Sequence, residues 1–323
     1  MKKKELTSLK KLKMSNYLSG FLTFSKSNNL GDYIQSIAAL ELIGENYTSL
    51  DREELDVYKG EKIKLLMNGW FMEKPNRWPP AANINPLIIS FHLNPIAIKQ
   101  MLSKAGIEYF KKHEPIGCRD SFTQNTLSKK GIKTYFSGCL TLTLKNNKID
   151  NKKKGILILS ALDRMNPKIS KNNFFTQFFK FPKKYYDYIK SKRLLDNFIS
   201  DQNPSKVTFK SQIIELTKHT VKEKFLMARE QLKMISESEL VITSRIHTAL
   251  PAISLGTKVI FLTDGLDHIN QKSRLEGLSD YFFCCKTSDL RKLDINKISP
   301  KKSYKGISEA LIEKTDQFFS RDD

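Results

Sequence analysis

The sequence predicts an α/β protein of two Rossmann-like domains with a cleft between them. Short apolar runs alternate with segments of helical periodicity through most of the chain, which is typical of parallel sheets covered by helices. The polar, aperiodic run KNNKIDNKKK at 145–154 interrupts this alternation, and the apolar run GILILS at 155–160 restarts it. We therefore predict one domain over residues 1–150 and a second over residues 151–323.

Each element of the two domains follows from its own pattern. In the first half, apolar runs predict strands at 18–24, 63–67, 87–91 and 133–136, and helical spacing predicts a helix over 32–43. In the second half, the same patterns predict strands at 155–160, near 207–209, at 239–243 and at 258–262, with helices over 221–236 and 247–255. The final segment, 304–320, predicts a closing helix, which we expect to pack back on the first domain.

Composition bounds the class of protein but selects no partner. The formal net charge of +21 comes mostly from scattered lysines, and such a charge attracts nucleic acid, anionic membranes and phosphorylated ligands alike. The sequence has no apolar run of transmembrane length and its N-terminus lacks the apolar segment of a secretory signal, so we predict a cytoplasmic protein. The four cysteines form no CxxC pair, and we interpret them as reduced structural thiols.

One segment, 171–193, interleaves phenylalanines and tyrosines with lysines. The first interpretation is a helix pair that covers the core. The second is an interfacial patch at the inner face of the membrane, where it rests on anionic lipid near a lipid-linked substrate. No recognised nucleic-acid module accompanies this segment, so we predict no nucleic-acid partner.

The segment SRIHTALP at 244–251 predicts an anion-binding corner. It directly follows the apolar run LVIT at 240–243, and Pro251 places a helix start near 246–248, because proline is tolerated in the first helical turn. The amides near Ile246 and His247 then point out of a helix N-terminus, which attracts anions. Arg245 adds a planar guanidinium suited to carboxylate or phosphate, and His247 adds a group that donates a proton near neutral pH.

Two further corners repeat this design in the first half. In NNLGD at 28–32, Gly31 permits a tight turn and Asp32 is suited to cap the following helix. In PIGCRD at 115–120, Arg119 leaves a short strand, and Asp120 or Ser121 caps a helix over 121–130. An ion pair between the neighbours Arg119 and Asp120 is geometrically awkward, so we expect Arg119 to face a ligand.

Several ordered motifs together resemble the polysaccharide pyruvyl transferase family over roughly residues 18–282. They are NNLGDYIQSIAAL at 28–40, MNGWF at 67–71, PLIISFH at 86–92, EPIGCRDSFT at 114–123, FSGCLTLTL at 136–144, LVITSRIHTALPAISLGTKVIFL at 240–262 and SRLEGL at 273–278.

This resemblance implies a glycosyltransferase-B-like architecture and a reaction between phosphoenolpyruvate and a sugar diol, which yields a pyruvate ketal and phosphate. It also implies a basic donor contact downstream of the SRIH histidine; Lys272 and Arg274 both fit, and we prefer Arg274. The predicted substrate-binding residues are Asn29, Gly31, Arg119, Ser244, Arg245, Ile246 and Arg274.

The chemistry of this reaction assigns roles to two further residues. A phosphate and a carboxylate on one small donor call for at least two cationic groups and a helix N-terminus. His247 is the candidate acid that protonates the methylene carbon, and Asp32 is the candidate base for the sugar hydroxyl. The five histidines have no metal-ligand spacing, so we expect neither a metal nor a cofactor.

Other functions compete with this hypothesis. A nucleotide-sugar-dependent glycosyltransferase of the glycosyltransferase-B type shares the predicted fold and an anionic donor. A nucleic-acid-binding protein and a noncatalytic scaffold are the remaining alternatives. We expect the first domain to form the acceptor side and the second domain the donor side, with sugar specificity in loops of the first domain and in residues 161–220. The acceptor itself stays open: the sequence does not distinguish a finished surface polysaccharide from its lipid-linked precursor.

Overall fold

The computed structural model describes residues 18–44, 46–71, 73–146, 153–167, 174–215 and 218–321, with backbone only for 70, 71 and 174–180. Within these residues the chain forms two parallel sheets with interleaved helices, which confirms the predicted α/β class with two Rossmann-like halves. The lysine run at 2–4 and the residues 147–152 of the predicted linker lie outside the described residues. So do residues 171–173 of the aromatic and basic segment.

The first sheet belongs entirely to the first half of the chain. Its strand order is β2-β1-β3-β4-β5-β6, and every neighbouring pair is parallel. The strands are β1 (Leu18–Thr23), β2 (Tyr47–Asp51), β3 (Ile63–Phe71), β4 (Ile84–Leu93), β5 (Ile116–Cys118) and β6 (Thr134–Phe136). The helices of this half are α1 (Leu30–Ile43), α2 (Ile98–Met101), α3 (Lys104–Lys112) and α4 (Ser121–Ser128).

The second sheet belongs to the second half. Its order is β11-β10-β9-β7-β8, again with parallel neighbours. The strands are β7 (Ile156–Leu159), β8 (Val207–Lys210), β9 (Leu240–Thr243), β10 (Lys258–Leu262) and β11 (Phe283–Cys285). The helices are α5 (Phe174–Asp201), α6 (Val221–Glu237), α7 (Ile246–Ser254), α8 (Ile269–Lys272) and α9 (Lys305–Ser320).

Helix α1 joins the two halves through one apolar cluster. Tyr33 and Ile34 on α1 share this cluster with Val241 on β9 and Leu250 on α7. The edge-on contact between the rings of Tyr33 and Phe225 of α6, 5.3 Å between centroids, adds to the packing. The two sheets are therefore held together by a continuous core rather than by surface contacts alone.

The C-terminal helix α9 lies against the first half. Leu311 belongs to the same apolar cluster as α1. The buried Lys64 ammonium on β3 donates to the backbone carbonyls of Phe318 and Arg321 at the end of α9. A cation at a helix C-terminus also interacts favourably with the helix dipole.

Two predictions about helices are wrong in detail. Helix α7 does begin at Ile246, but Pro251 is its sixth residue, and the helix accommodates it with a kink where His247 has non-helical torsions (φ −79°, ψ 16°). Residues 174–201 form one helix, α5, instead of a pair, and Pro182 lies inside it. In α7 the surrounding packing overrides the local tendency of proline to end a helix, because Pro251 and its neighbours are buried, whereas Pro182 lies on an exposed stretch of α5.

The described part of the chain contains free cysteines, Cys118, Cys139, Cys284 and Cys285. Burial raises the pKa of the Cys284 and Cys285 thiols to about 12, so both are protonated at neutral pH. None of the helices within the described residues has the length and apolar character needed to cross a membrane.

Candidate active site

The carboxyl ends of strands from both sheets meet at one cleft. The backbone of Leu30 donates to the carbonyl of Gln212 (2.9 Å), and Ile214 donates to the carbonyl of Asn28 (2.8 Å), so the loops after β1 and β8 touch directly. In parallel α/β sheets, residues that follow the strands lie at this edge, where ligands bind. The polar residues brought here are Asp32, His92, Arg119 and Asp120 from the first half, and Arg164, Arg245, His247 and Arg274 from the second.

Gly31 allows the two halves to approach closely. We predicted that it serves a tight turn, but its φ is not positive, so the turn does not require glycine. The need is steric: a Cβ at position 31 would lie 2.8 Å from the Cβ of His247. The start of α1 thus packs against the start of α7, and any side chain at residue 31 would push the halves apart.

Asn29, and not Asp32, caps helix α1. The Oδ1 of Asn29 accepts from the Gly31 amide (3.1 Å) and from the Nε2 of Gln212 (2.6 Å). The prediction that Asp32 caps this helix is therefore wrong, because a residue one turn earlier satisfies the free amides. Asp32 is buried in the first turn, and its carboxylate accepts from the Ser27 hydroxyl (2.5 Å) and from Gln35 Nε2 (3.3 Å).

A buried charged triad lies where β4 and β5 end. Asp120 caps α4 by accepting from the Thr123 amide (2.9 Å), and its second oxygen contacts His92 Nδ1 (2.6 Å). Burial alone would raise the pKa of Asp120, but the charge and hydrogen bond of His92 and the charge of Arg119 hold it below its usual value. This capping prediction, in which Asp120 was one of two candidates, is confirmed.

Arg119 is fully buried, with 0% of its surface exposed. Its Nε lies 3.6 Å from Asp120 Oδ2, so the neighbours do form an ion pair, and the expectation that this geometry is awkward is wrong. The extended backbone of Asp120 (φ −137°, ψ 158°) lets its side chain turn back toward Arg119. The contact is longer than a hydrogen bond, however, and Nε, Nη1 and Nη2 have no hydrogen-bond partner among the described residues.

The corner after β9 is built as the sequence predicts in its main features. Arg245 is the N-cap residue of α7 and makes no side-chain capping bond, so the first amides of the helix, beginning with Ile246, have no intrahelical partner. Its Nη2 donates to Asp163 Oδ2 (3.2 Å), while its Nε is buried without a hydrogen bond among the described residues. Ser244 donates its hydroxyl to the carbonyl of Ser160 (2.8 Å), which ties the end of β9 to the end of β7.

Four arginines share this cleft, and we call Arg119, Arg164, Arg245 and Arg274 the arginine cluster. The pKa of Arg274 is lowered to about 10. Burial is the largest cause, the charges of Arg119 and Arg245 act in the same direction, and those of Asp32 and Asp120 oppose it. Burial also lowers the pKa of Arg164 to about 9, with Arg245 and Arg274 adding to the effect. The lowered pKa values of Arg164 and Arg274 mean that like charges are crowded in a poorly solvated space. Lys272, the alternative to Arg274, is exposed at the end of α8.

His247 is buried in the middle of these charges. Its pKa lies well below the usual value because of burial first, and then because of the charges of Arg119, Arg274 and His92. Its Nε2 has no hydrogen-bond partner within the described residues. The imidazole is therefore neutral at pH 7 and has one ring nitrogen available to a ligand.

The predicted site residues are thus brought together, and the structure adds others that the prediction missed. Arg164 lies in the loop after β7, a few residues farther from its strand than Arg245 is from β9, so a search of the whole loop after each buried strand would have found it. Gln212 was missed because its role is to bridge: its side chain bonds both Asn29 and the Thr248 hydroxyl. His92 was missed because its contact with Asp120 depends on the pairing of β4 with β5, which sequence spacing does not reveal.

Two serines beside the site have unusual backbone torsions. Ser90 (φ 54°) lies within β4, and Ser160 (φ 50°) follows β7. Non-glycine residues with positive φ are uncommon and concentrate at functional sites. Ser160 uses this conformation to accept from the Gln212 amide through its hydroxyl (2.8 Å) and from Ser244 through its carbonyl.

These features define an α/β protein whose two halves enclose a cleft rich in buried arginines. No group of three or more histidine, cysteine or acidic side chains suited to a metal occurs in the described residues. The family model for polysaccharide pyruvyl transferase matches residues 29–264, and the chain belongs to this family.

Other comparisons concern sequence relatives and solved structures. No curated protein sequence gave a significant match. Among solved structures, the chain is similar to UDP-GlcNAc 2-epimerase from Methanocaldococcus jannaschii in complex with UDP-GlcNAc and UDP, with 12% identity and a TM-score of 0.38 over 93% of this chain and 99% of that chain. It is also similar to a UDP-N-acetylglucosamine 2-epimerase, with 10% identity and a TM-score of 0.46 over 96% of this chain and 98% of that chain.

Proposed function

We propose that the chain transfers the enolpyruvyl group of phosphoenolpyruvate to a sugar diol and forms a pyruvate ketal and inorganic phosphate. The observation that carries this proposal is the buried Arg119, whose guanidinium nitrogens have no hydrogen-bond partner among the described residues. Its one ion-pair contact among the described residues, with Asp120, is longer than a hydrogen bond, and a buried charge that lacks hydrogen bonds costs several kcal/mol. A site that keeps such a charge is built for an anion that arrives with the substrate.

Phosphoenolpyruvate suits the arginine cluster because it carries two anionic groups on a three-carbon frame. Guanidinium groups bind carboxylate and phosphate in a bidentate manner, and the start of α7 offers free amides beside them. Arg119, Arg245 and Arg274 are the proposed donor contacts. Asn29, Gly31 and Ser244 act by holding the three corners in place, since their polar groups bond to the protein itself.

The proposed reaction begins with protonation of the donor's methylene carbon by His247. The central carbon becomes electrophilic, and a sugar hydroxyl adds to it while Asp32 takes the hydroxyl proton. The bond between the central carbon and the phosphate oxygen then breaks, inorganic phosphate leaves, and the second hydroxyl closes the ketal. The protons balance over the whole reaction. The first hydroxyl proton, taken by Asp32, replaces the proton that His247 gives to the new methyl group, and the proton of the second hydroxyl ends on phosphate.

This role for His247 depends on the donor. In the free chain the pKa of His247 is held down by burial, Arg119 and Arg274. The negative charges of the donor, placed between the imidazole and the arginines, favour the protonated form and raise this pKa. The acid would therefore be formed only when phosphoenolpyruvate occupies the site, so that the empty site does not add a further positive charge beside the arginine cluster.

The acceptor in this proposal is a sugar of a surface polysaccharide or of its lipid-linked precursor, and the reaction takes place in the cytoplasm without a metal or cofactor. Helix α5 exposes Lys183, Lys184, Tyr185 and Tyr186 on one stretch. Basic residues beside amphipathic rings favour contact with an anionic membrane surface. A peripheral position of this kind would bring the chain close to a lipid-linked acceptor.

The test is a donor assay on the purified chain. Phosphate release from phosphoenolpyruvate is measured with a panel of lipid-linked and free saccharides, and the ketal is detected by its methyl signal in proton NMR. We expect saccharide-dependent phosphate release, which Arg245→Ala abolishes. Binding and turnover of a nucleotide diphosphate sugar, with no phosphate release from phosphoenolpyruvate, would instead establish the glycosyltransferase alternative.

A further inference from the structure

A separate cavity of about 320 Å³ opens beside the arginine cluster, between β7, β8 and α5. We call it the side pocket. Its volume lies at the lower end of the range for small-molecule sites, about 300–1,000 Å³. The side chains that matter to the argument are Asp163, Tyr188, Lys192, Asp196, Phe209 and Lys210.

The side pocket shares a wall with the proposed donor site. Asp163 lines the pocket and accepts from Arg245 Nη2 at 3.2 Å, so one carboxylate faces the cavity and holds a donor arginine. Ser160 also lines the pocket, and its carbonyl accepts from Ser244, the residue before Arg245. A molecule in the side pocket would therefore lie next to an anion held by Arg245.

Phe209 is the most unusual residue of the pocket wall. It lies on β8, the edge strand of the second sheet, and 63% of its surface is exposed. A large aromatic ring exposed at the mouth of a cavity, with Tyr188 on the opposite helix, offers an apolar face to a ligand. Such faces pack well against the C–H face of a pyranose ring.

The charges of the side pocket balance. Asp163 and Asp196 oppose Lys192 and Lys210, whereas the neighbouring arginine cluster carries an excess of positive charge. A phosphate group would therefore find less positive charge here than in the arginine cluster. Carboxylates and ammonium groups around an aromatic face instead match the many hydroxyl groups of a neutral sugar, which donate and accept hydrogen bonds together.

We propose that the side pocket is the acceptor subsite and holds a neutral pyranose residue of the saccharide. Phe209 packs against the apolar face of the ring, and Asp163 and Asp196 accept hydrogen bonds from its hydroxyl groups. This assignment rests on the proposed function for the meaning of "acceptor", but the sugar-binding property is separate from turnover. The acceptor would then lie against β7, β8 and α5 in the second half of the chain, with Arg245 between it and the donor.

The experiment is saturation-transfer NMR on the full chain with methyl β-galactoside, methyl α-mannoside and methyl N-acetyl-β-glucosaminide as probes. We expect saturation of the ring protons of at least one probe by the unaltered chain. Phe209→Ala should weaken this binding at least tenfold, and Asp196→Ala should weaken it as well. Tyr185→Ala is the matched control, because Tyr185 is 51% exposed on α5 but does not line the pocket.

The outcomes separate this proposal from the proposed function. If no probe binds, if binding survives Phe209→Ala, or if UDP displaces the bound probe, the side pocket is not the acceptor subsite. Donor-dependent phosphate release in the same preparation would then leave the proposed function standing. Conversely, sugar binding that depends on Phe209, without any turnover of phosphoenolpyruvate, would support the pocket and overturn the reaction.

Discussion

Two buried arginines of the first half, Arg52 and Arg119, differ in how their charge is balanced. Arg52 donates through Nε to Glu53 at 2.6 Å, and its guanidinium lies over the Phe24 ring at 5.0 Å from the centroid. Arg119 is more deeply buried, yet among the described residues the only carboxylate paired with it is Asp120 at 3.6 Å, and Asp120 already binds His92. The comparison teaches that one arginine is hydrogen-bonded within the protein, whereas the guanidinium of the other has no hydrogen bond within the described residues, as the proposed donor contact requires.

Stability gives the largest expected contrast between these two positions. Arg52→Ala leaves the buried Glu53 carboxylate unpaired and should lower the free energy of unfolding by about 3–5 kcal/mol. Arg119→Ala removes a guanidinium that makes no hydrogen bond within the described residues, and Asp120 keeps its contacts with His92 and the Thr123 amide, so this variant should cost less. Urea unfolding of both variants at pH 7.5 measures the difference, and equal losses would mean that Arg119 is structural.

Within the donor site, activity should be more sensitive to substitution at Arg274 than at Lys272. Arg274→Ala is expected to lower the turnover of phosphoenolpyruvate by about 10²–10³-fold, because a positioned cation that stabilises charge in the transition state is lost. Lys272→Ala is the matched control, since Lys272 lies two residues away and is exposed. The measurement is the initial rate of phosphate release for both variants and for the unaltered chain. A greater loss of rate with Lys272→Ala than with Arg274→Ala would mean that Lys272 is the donor contact.

The corners of this site were predictable because each one is local. A charged residue directly after a buried strand has few structural uses, and Arg119, Arg245 and Asp32 were found by that reasoning. The same reasoning, extended to the whole loop after β7, would have found Arg164. What it could not supply was how the corners meet: Gly31 against His247, and Gln212 between Asn29 and Thr248, depend on the packing of one half on the other.

The fold was predictable from alternation, while the errors arose where local rules met tertiary packing. The short strands β2 and β11 were missed because β2 carries few apolar residues and β11 has only three residues. Pro251 lies inside a helix that packing sustains, whereas Pro182 lies on an exposed stretch of α5. Asp32 has the right residue type for a cap, but Asn29 takes that place, which leaves the Asp32 carboxylate in the cleft.

Anion binding sharpens the comparison of Arg52 with Arg119 without requiring catalysis. A ligand present at 100 times its dissociation constant stabilises the folded state by about 2.7 kcal/mol. Phosphoenolpyruvate should therefore raise the melting temperature of the unaltered chain and leave Arg119→Ala unaffected. Sodium chloride at matched ionic strength controls for general screening, and an equal rise in both proteins would show that the anion binds elsewhere.

Histidines extend the comparison to the pH dependence of stability, with the smallest expected effect. Burial lowers the pKa of His92 to about 4, and the charges of Arg119 and Arg274 add to this effect against that of Asp120. The unfolded chain, with a histidine pKa of about 6.5, binds a proton that the folded chain does not, so stability falls as pH drops below about 6.5. His92→Asn, whose side-chain amide can still donate to Asp120, should remove up to about 2 kcal/mol of the loss between pH 6.5 and pH 5. Urea midpoints of this variant and of Lys272→Ala at both pH values test the claim. If His92→Asn keeps the full acid sensitivity, the imidazole is already charged at neutral pH and the cleft is less cationic than its arginines imply.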